Sequence, residues 1–237
     1  MPTEKVTSIV NPLYHSVYEV MQKHRLFGAW ERCASQHISS IHKHLSGREK
    51  ISILYSGTAT HKNPEDVLNL TQNLHRSVSL TTIDLSLKPL ISLDRTTFKP
   101  VQTDCIALPF ADHSFDYITT DFLLSKMHFS TIVSTMSEWG RVIKSDGLIT
   151  MTAGVKNPQP DFTDKAYDEI THTLYGIHFL PKELLQLIFY SAGLEAKFET
   201  AQFDHKPYMY RYFDNLLIFI EARPKKMQVG INQKLYH

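Results

Sequence analysis

The sequence predicts an α/β fold: a mainly parallel sheet with helices on both faces. Three observations carry this. Short apolar runs of strand length alternate with stretches of helical periodicity from Ile51 to Pro224. The first such run, "ISILY", passes straight into a small-residue turn, Ser56-Gly57-Thr58-Ala59-Thr60. Later runs close on acidic residues, at Asp84 in "TTIDLS" and at Asp121 in "DYITTDFLL". Parallel strands need crossover connections, and the alternation supplies them as helices.

Residues 12–45 read as helical. Leu13, Val17 and Val20 or Met21 share one face, and Trp30, Cys33, Ile38, Ile41 and Leu45 repeat that spacing further on. Gly47 follows the last periodic residue, where a helix ends. A first strand spans Ile51 to Tyr55. "PEDVLNLTQNLH" then reads as a helix with Pro64 at its start and acids in its first turn. Val78 to Leu85 is a second strand, and a weak third lies around Val101, just after Pro100. Asp116 to Phe122 forms a fourth. The helix expected over Ser130–Ile143 is closed by Ser145-Asp146-Gly147, and Leu148–Ala153 returns as a strand. "PKELLQLIFYSAG" is a helix ending on Gly193. "LEAKFETAQF" and "YRYFDNLLIFIEARP" finish as two strands with Pro224 as the stop. Residues 225–237 form a polar tail.

Composition narrows the function. The 237 residues suit one large domain or one domain with an appendage. Hydrophobic residues make up 42% and charged residues 21%, an ordinary globular balance. A net charge of +1 argues against a nucleic-acid binder, which needs a basic stripe. Two cysteines, Cys33 and Cys105, are too few for a disulfide framework or a thiolate zinc site. The longest late apolar run, "LLIFI", is far short of a membrane span, and "MPTEKVTSIVNPLYH" has no signal-like core. A cytoplasmic protein with no membrane or nucleic-acid partner is expected, its oligomeric state left open.

In a parallel sheet the ligand sits outside the carboxyl ends of the strands. That edge here holds Ser56–Thr60, Asp84–Ser86, Asp104–Ile106 and Thr119–Asp121. Two longer patterns lie beside it. "TDCIALPFADHSFDYITTDFLL" places Asp104, Leu108, Pro109, Phe110, Asp112, Ser114, Phe115 and Asp116 in one array. "SEWGRVIKSDGLITMTA" places Glu138, Arg141, Val142, Ile143, Lys144 and Gly147 in another.

Taken in order with the Gly turn and "TTIDLS", these resemble the class I S-adenosylmethionine-dependent methyltransferases of the small-molecule kind. The resemblance covers Ile51 to Pro224. It implies a Rossmann-like seven-stranded, mostly parallel sheet whose last strand is inserted antiparallel. It implies S-adenosylmethionine as cofactor and a small-molecule acceptor, with oxygen or nitrogen expected before carbon. Residues 1–48 would be an N-terminal helical cap, 49–224 the methyltransferase-like domain, and 225–237 a tail. By the same resemblance, Asp84 would accept the ribose hydroxyls, with Leu85 beside it. Asp104 would accept from the adenine amine, with Cys105 and Ile106 flanking the ring. Tyr55, Ser56 and Gly57 would border the methionine part, and Thr120 would complete the set. No metal site is expected.

Methyl transfer gains most from positioning, and a base helps when the acceptor carries a proton. Asp121 and His128, with Lys126 between them, are the candidates after the fourth strand. Tyr14 and Tyr18 on the first helix are candidates to close over the substrate. Asp112 and Asp116 read as structural, and Glu138 with Arg141 as a helix pair. His37, His42 and His44 lack ligand spacing and read as a surface helix; His61 reads as a solvated loop residue. Tyr208, Tyr210 and Tyr212 share one strand face and suit either a substrate pocket or packing.

The first loop departs from the family's [DE]-x-G-x-G-x-G. Aligned on Gly57, Ile53 takes the acidic position, Tyr55 the first glycine and Ala59 the last. A tyrosine there would fill space used by the methionine end. This supports a rival reading, a non-catalytic member of the fold acting as a binding or regulatory partner. A third is an S-adenosylmethionine-using enzyme that transfers no methyl. A nicotinamide dehydrogenase is disfavoured, because no G-x-G-x-x-G follows a strand.

Overall fold

The computed structural model describes residues 33–58, 62–74, 77–160, 162, 165, 166, 169, 179–202 and 217–225. The expected helix at 12–24, Tyr14 and Tyr18, His61, Tyr208 to Tyr212 and the tail from 226 lie outside them. In chain order the elements are α1 (Ala34–Leu45), β1 (Lys50–Ser56), α2 (Lys62–Gln72), β2 (Ser77–Asp84), α3 (Leu87–Ile91), β3 (Phe98–Gln102) and β4 (Phe115–Asp121). A 3-10 turn (Leu124–Lys126), α4 (Phe129–Val142), β5 (Ile143–Gly154), α5 (Lys182–Ser191), β6 (Leu194–Thr200) and β7 (Leu217–Pro224) follow.

The seven strands form one sheet in the order β3-β2-β1-β4-β5-β7-β6. β1 pairs in parallel with β2 and β4, β2 with β3, and β4 with β5. β7 runs antiparallel to both β5 and β6, the inserted strand the resemblance implies. The strand order reverses between β1 and β4, so their carboxyl ends flank the crevice where such sheets hold ligands.

Side-chain alternation explains the two layers. On β1, Ile51, Ile53 and Tyr55 enter a core shared with Ile41 and Leu45 of α1, Val67 and Leu68 of α2, and Tyr117 of β4. Leu54 enters the opposite core, with Ile118, Ile149 and Met151. That core is closed by Ile132, Met136, Trp139 and Val142, which recur at helical spacing on α4. Each such side chain buried fully is worth about 1.5–3 kcal/mol, which orients α4 on the sheet.

Several boundaries differ from the sequence reading. α2 starts at Lys62, two residues before Pro64, because a first helical turn tolerates proline. α3 is unanticipated; its five residues with an internal Pro89 give no periodic signal. β3 includes Pro100 itself, which an edge strand tolerates. α4 ends at Val142, and β5 already begins at Ile143 rather than Leu148. Ile143 turns extended and pairs with Phe115. The register then shifts before Leu148 meets Tyr117, so Ser145-Asp146-Gly147 falls in a bulged stretch of β5 and does not close the helix.

The histidine-bearing helix is also not a plain surface helix. His42 is exposed, but His37 is fully buried, with Nδ1 2.7 Å from Thr150 Oγ1 and 3.3 Å from the Tyr117 hydroxyl. Ser40 donates to Glu221 Oε2 at 2.5 Å, and His44 Nε2 lies 2.8 Å from Glu221 Oε1. Positions 37, 40 and 44 therefore form a polar seam along which α1 lies on β4, β5 and β7. Among the described residues no helix is long and apolar enough to cross a membrane.

Candidate active site

The carboxyl edge is built first by the β1 turn. Gly57 has φ +75, a left-handed value that costs a side-chain-bearing residue about 1–2 kcal/mol. Its N–H donates to Ile83 O at 2.9 Å, and Thr58 Oγ1 donates to the same carbonyl at 3.3 Å, so the turn is pinned to β2. From the other side Thr120 Oγ1 donates to Ser56 O at 2.5 Å, pinning it to β4.

At the end of β2, Asp84 is partly exposed and its Oδ1 accepts the Ser86 N–H at 2.8 Å. Leu85 beside it is 47% exposed. After β3, Asp104 Oδ1 accepts the Ile106 N–H at 3.2 Å, and Ile106 is 41% exposed. Two carboxylates and two apolar side chains thus border the β2–β3 end of the edge. Cys105 turns its thiol inward: Thr135 Oγ1 of α4 donates to its sulfur at 3.4 Å, and burial pushes the thiol up to about 11.

The loop carrying Leu108 to Asp112 is strapped to α4. Glu138 Oε2 accepts the Leu108 N–H at 2.8 Å. Arg141 donates to the carbonyls of Leu108 and Phe110, to Asp112 and to Glu138. The Arg141 hydrogen bonds hold the Glu138 carboxyl below the usual range. These residues brace the loop that follows Asp104, with structural roles at Asp112, Glu138 and Arg141. Asp116 is likewise structural, accepting from Ser52 N, Ser52 Oγ, Arg48 and Lys144. Burial works to raise its carboxyl, and the Ser52 and Lys144 contacts outweigh it and hold the carboxyl low.

At the end of β4, Asp121 is buried and its Oδ1 accepts from Thr152 Oγ1 at 2.9 Å. The chain then reverses at Phe122, whose φ is +50, and Leu124–Lys126 makes a 3-10 turn. Ser125 Oγ accepts the Gly154 N–H at 3.3 Å, which ties this turn to the end of β5. Lys126 is half-buried, and desolvation brings its amine down to about 7. His128 is exposed and stands at the N-cap of α4.

The edge therefore gathers Gly57, Asp84, Leu85, Asp104 and Ile106 as exposed or partly exposed groups. Tyr55, Ser56 and Thr120 lie at the same edge but are fully or almost fully buried, so they do not open onto the edge as Gly57 and Asp84 do. The Tyr55 ring lies in the core under α1 and α2 and does not stand in the cleft. Phe122 and Leu123 were missed by the sequence reading, since nothing in "DFLLSK" announces a left-handed phenylalanine. Among the described residues no three His, Cys, Asp or Glu side chains converge to hold a metal ion.

The fold that carries this edge is matched by known proteins. Residues 67–151 match a family model described as a methyltransferase domain. No curated protein matches the sequence. Among solved structures, a chain of the complex between the Haloferax volcanii Trm112 methyltransferase activator and its methyltransferase is 13% identical. Its TM-score is 0.64, covering 89% of this chain and 95% of that one. The geranyl diphosphate C-methyltransferase of Streptomyces coelicolor A3(2), solved with S-adenosyl-L-homocysteine, is 12% identical with a TM-score of 0.62, over 81% and 79%. The [4+2]-cyclase SpnF is 16% identical with a TM-score of 0.59, over 83% and 84%. At these identities the likeness is one of fold. The fold is the Rossmann-like one of the class I S-adenosylmethionine-dependent methyltransferases, and residues 67–151 carry the likeness to the methyltransferase-domain model.

Proposed function

We propose that the protein binds S-adenosylmethionine at this edge and transfers its methyl group to a small-molecule acceptor, at oxygen or nitrogen. The observation that carries the reading is the set of two carboxylates, Asp84 and Asp104, with Leu85 and Ile106, beside the left-handed Gly57 turn. Acidic acceptors suit ribose hydroxyls and an exocyclic amine, and exposed aliphatic side chains suit the faces of a purine. The residues present fit the nucleoside half of the cofactor.

When bound, the cofactor supplies an electrophilic methyl on a sulfonium. The chain's own part is to hold and to take a proton. Asp84 and Asp104 orient the nucleoside, and the turn pinned by Ile83 and Thr120 fixes the depth of the site. His128 and Asp121 remain the proposed proton acceptors. Exposure favours His128, because Asp121 is buried and bonded to Thr152. The expected roles of Tyr14 and Tyr18 over the substrate stay part of this proposal.

Thermal unfolding with S-adenosylmethionine and S-adenosylhomocysteine tests it. A ligand at about a hundred times its Kd adds roughly 2.7 kcal/mol. For a domain of this size that raises Tm by about 5–10 °C. A shift that Asp84→Ala abolishes supports the reading. No shift with either ligand favours a non-catalytic member of the fold, the reading to which Ile53 and Tyr55 point by supplying the turn with neither a carboxylate nor a second glycine. Turnover without methylated product would favour other S-adenosylmethionine chemistry on the same fold.

A further inference from the structure

The face of Gly57 that its missing side chain leaves open is covered from within the chain. A Cβ built on Gly57 would lie 2.9 Å from Leu123 Cδ1 and 3.5 Å from Leu123 Cγ and Cδ2. Glycine at a ligand-binding turn serves close approach to the backbone, and here the approaching group is a leucine. Leu123 is partly exposed at the edge and packs on the core beneath α4. It is aimed there by Phe122, whose φ of +50 turns the chain and whose N–H donates to Thr152 O at 3.0 Å. The Phe122 side chain packs against Cys33, Ala201 and Leu217, so the residue behind Leu123 is fixed by packing.

We propose that Leu123 sets the ligand selectivity of the β1 turn, covering the Gly57 face so that the site favours a nucleoside over one bearing an amino-acid extension. The inference rests on the cofactor reading above and deepens it. Asp84 and Asp104 lie one and two strands away from the turn, so the nucleoside half is held apart from it. The amino-acid half gains the turn only when the Leu123 side chain rotates off Gly57. Only the tip of that side chain makes the 2.9 Å contact, which makes it the moving part.

Calorimetric titration of the whole chain with 5′-methylthioadenosine and with S-adenosylhomocysteine reads this directly. The two probes share the nucleoside and differ in the amino-acid extension. In the wild type 5′-methylthioadenosine should bind at least as tightly as S-adenosylhomocysteine. Leu123→Ala should tighten S-adenosylhomocysteine about fivefold, the equivalent of re-exposing part of one leucine, and leave 5′-methylthioadenosine unchanged. Leu123→Met should keep the wild-type ratio, and Leu123→Val reads the same direction should the alanine variant unfold. A Kd ratio of S-adenosylhomocysteine to 5′-methylthioadenosine that stays constant or rises in Leu123→Ala overturns the inference while leaving the cofactor reading standing. Failure of both probes to bind either protein overturns the cofactor reading, and this inference with it.

Discussion

His37 offers a quantitative test of how α1 is held. Its ring is fully buried against Thr150, Tyr117 and the edge of Phe219, and desolvation lowers its pKa from an ordinary 6.5 to about 3. The folded protein therefore keeps His37 neutral while the unfolded chain protonates it below pH 6.5. Between those values the unfolded state binds one more proton, so stability rises with pH and is lost as pH falls. Each pH unit below 6.5 costs about 1.4 kcal/mol, or on the order of 2 kcal/mol by pH 5. Urea unfolding at pH 7.5 and pH 5.0 of the wild type and of His37→Asn isolates the effect. The other twelve of the thirteen histidines are common to both proteins, so their contribution cancels in the difference. Wild type should lose about 2 kcal/mol more than His37→Asn over that interval. Equal losses, or an imidazole resonance of His37 titrating near 6.5, would refute the buried neutral histidine and the docking of α1 that rests on it.

Other perturbations follow from single contacts. Gly57→Ala forces a left-handed alanine against Leu123 and should destabilise the fold by about 1–2 kcal/mol in chemical denaturation. Asp116→Ala removes a 6%-exposed carboxylate that joins Arg48, Lys144 and Ser52. Both cations keep some contact with water, so the expected cost is about 2 kcal/mol, below that of a fully buried pair. Glu138→Ala frees the Leu108 N–H and loosens its loop, which should appear as faster amide hydrogen exchange over 104–112 with little change elsewhere.

The sheet was largely legible because its strands are apolar runs cut by recognisable turns. β1, β2, β4 and α4 fall within one or two residues of their expected bounds. Strand β3 was faint because Pro100 masks it, and the early start of β5 was hidden because Ile143 satisfies a helical face equally well. The polar seam of α1 was not legible at all. Periodicity counts apolar residues, and His37, Ser40 and His44 look like a solvated face until Thr150 and Glu221 stand opposite them. At the candidate site, Asp84, Asp104 and Ile106 could be named from motif order. Whether a residue at the edge shows its side chain or its backbone could not. Tyr55 and Thr120 turn inward because β-strand alternation and the Ser56 carbonyl claim them. Leu123 reaches Gly57 through one backbone angle at Phe122, which no residue type in that stretch encodes.

The central claim is that Asp84 and the β1 turn hold a nucleoside cofactor. Calorimetric titration of S-adenosylhomocysteine into the wild type and Asp84→Ala tests it most directly. The account predicts saturable one-to-one binding that weakens at least tenfold in the variant, as the loss of charge-assisted hydrogen bonds of about 1.5–3 kcal/mol requires. Equal affinity in the two proteins, or no heat of binding to a folded wild type, would contradict it.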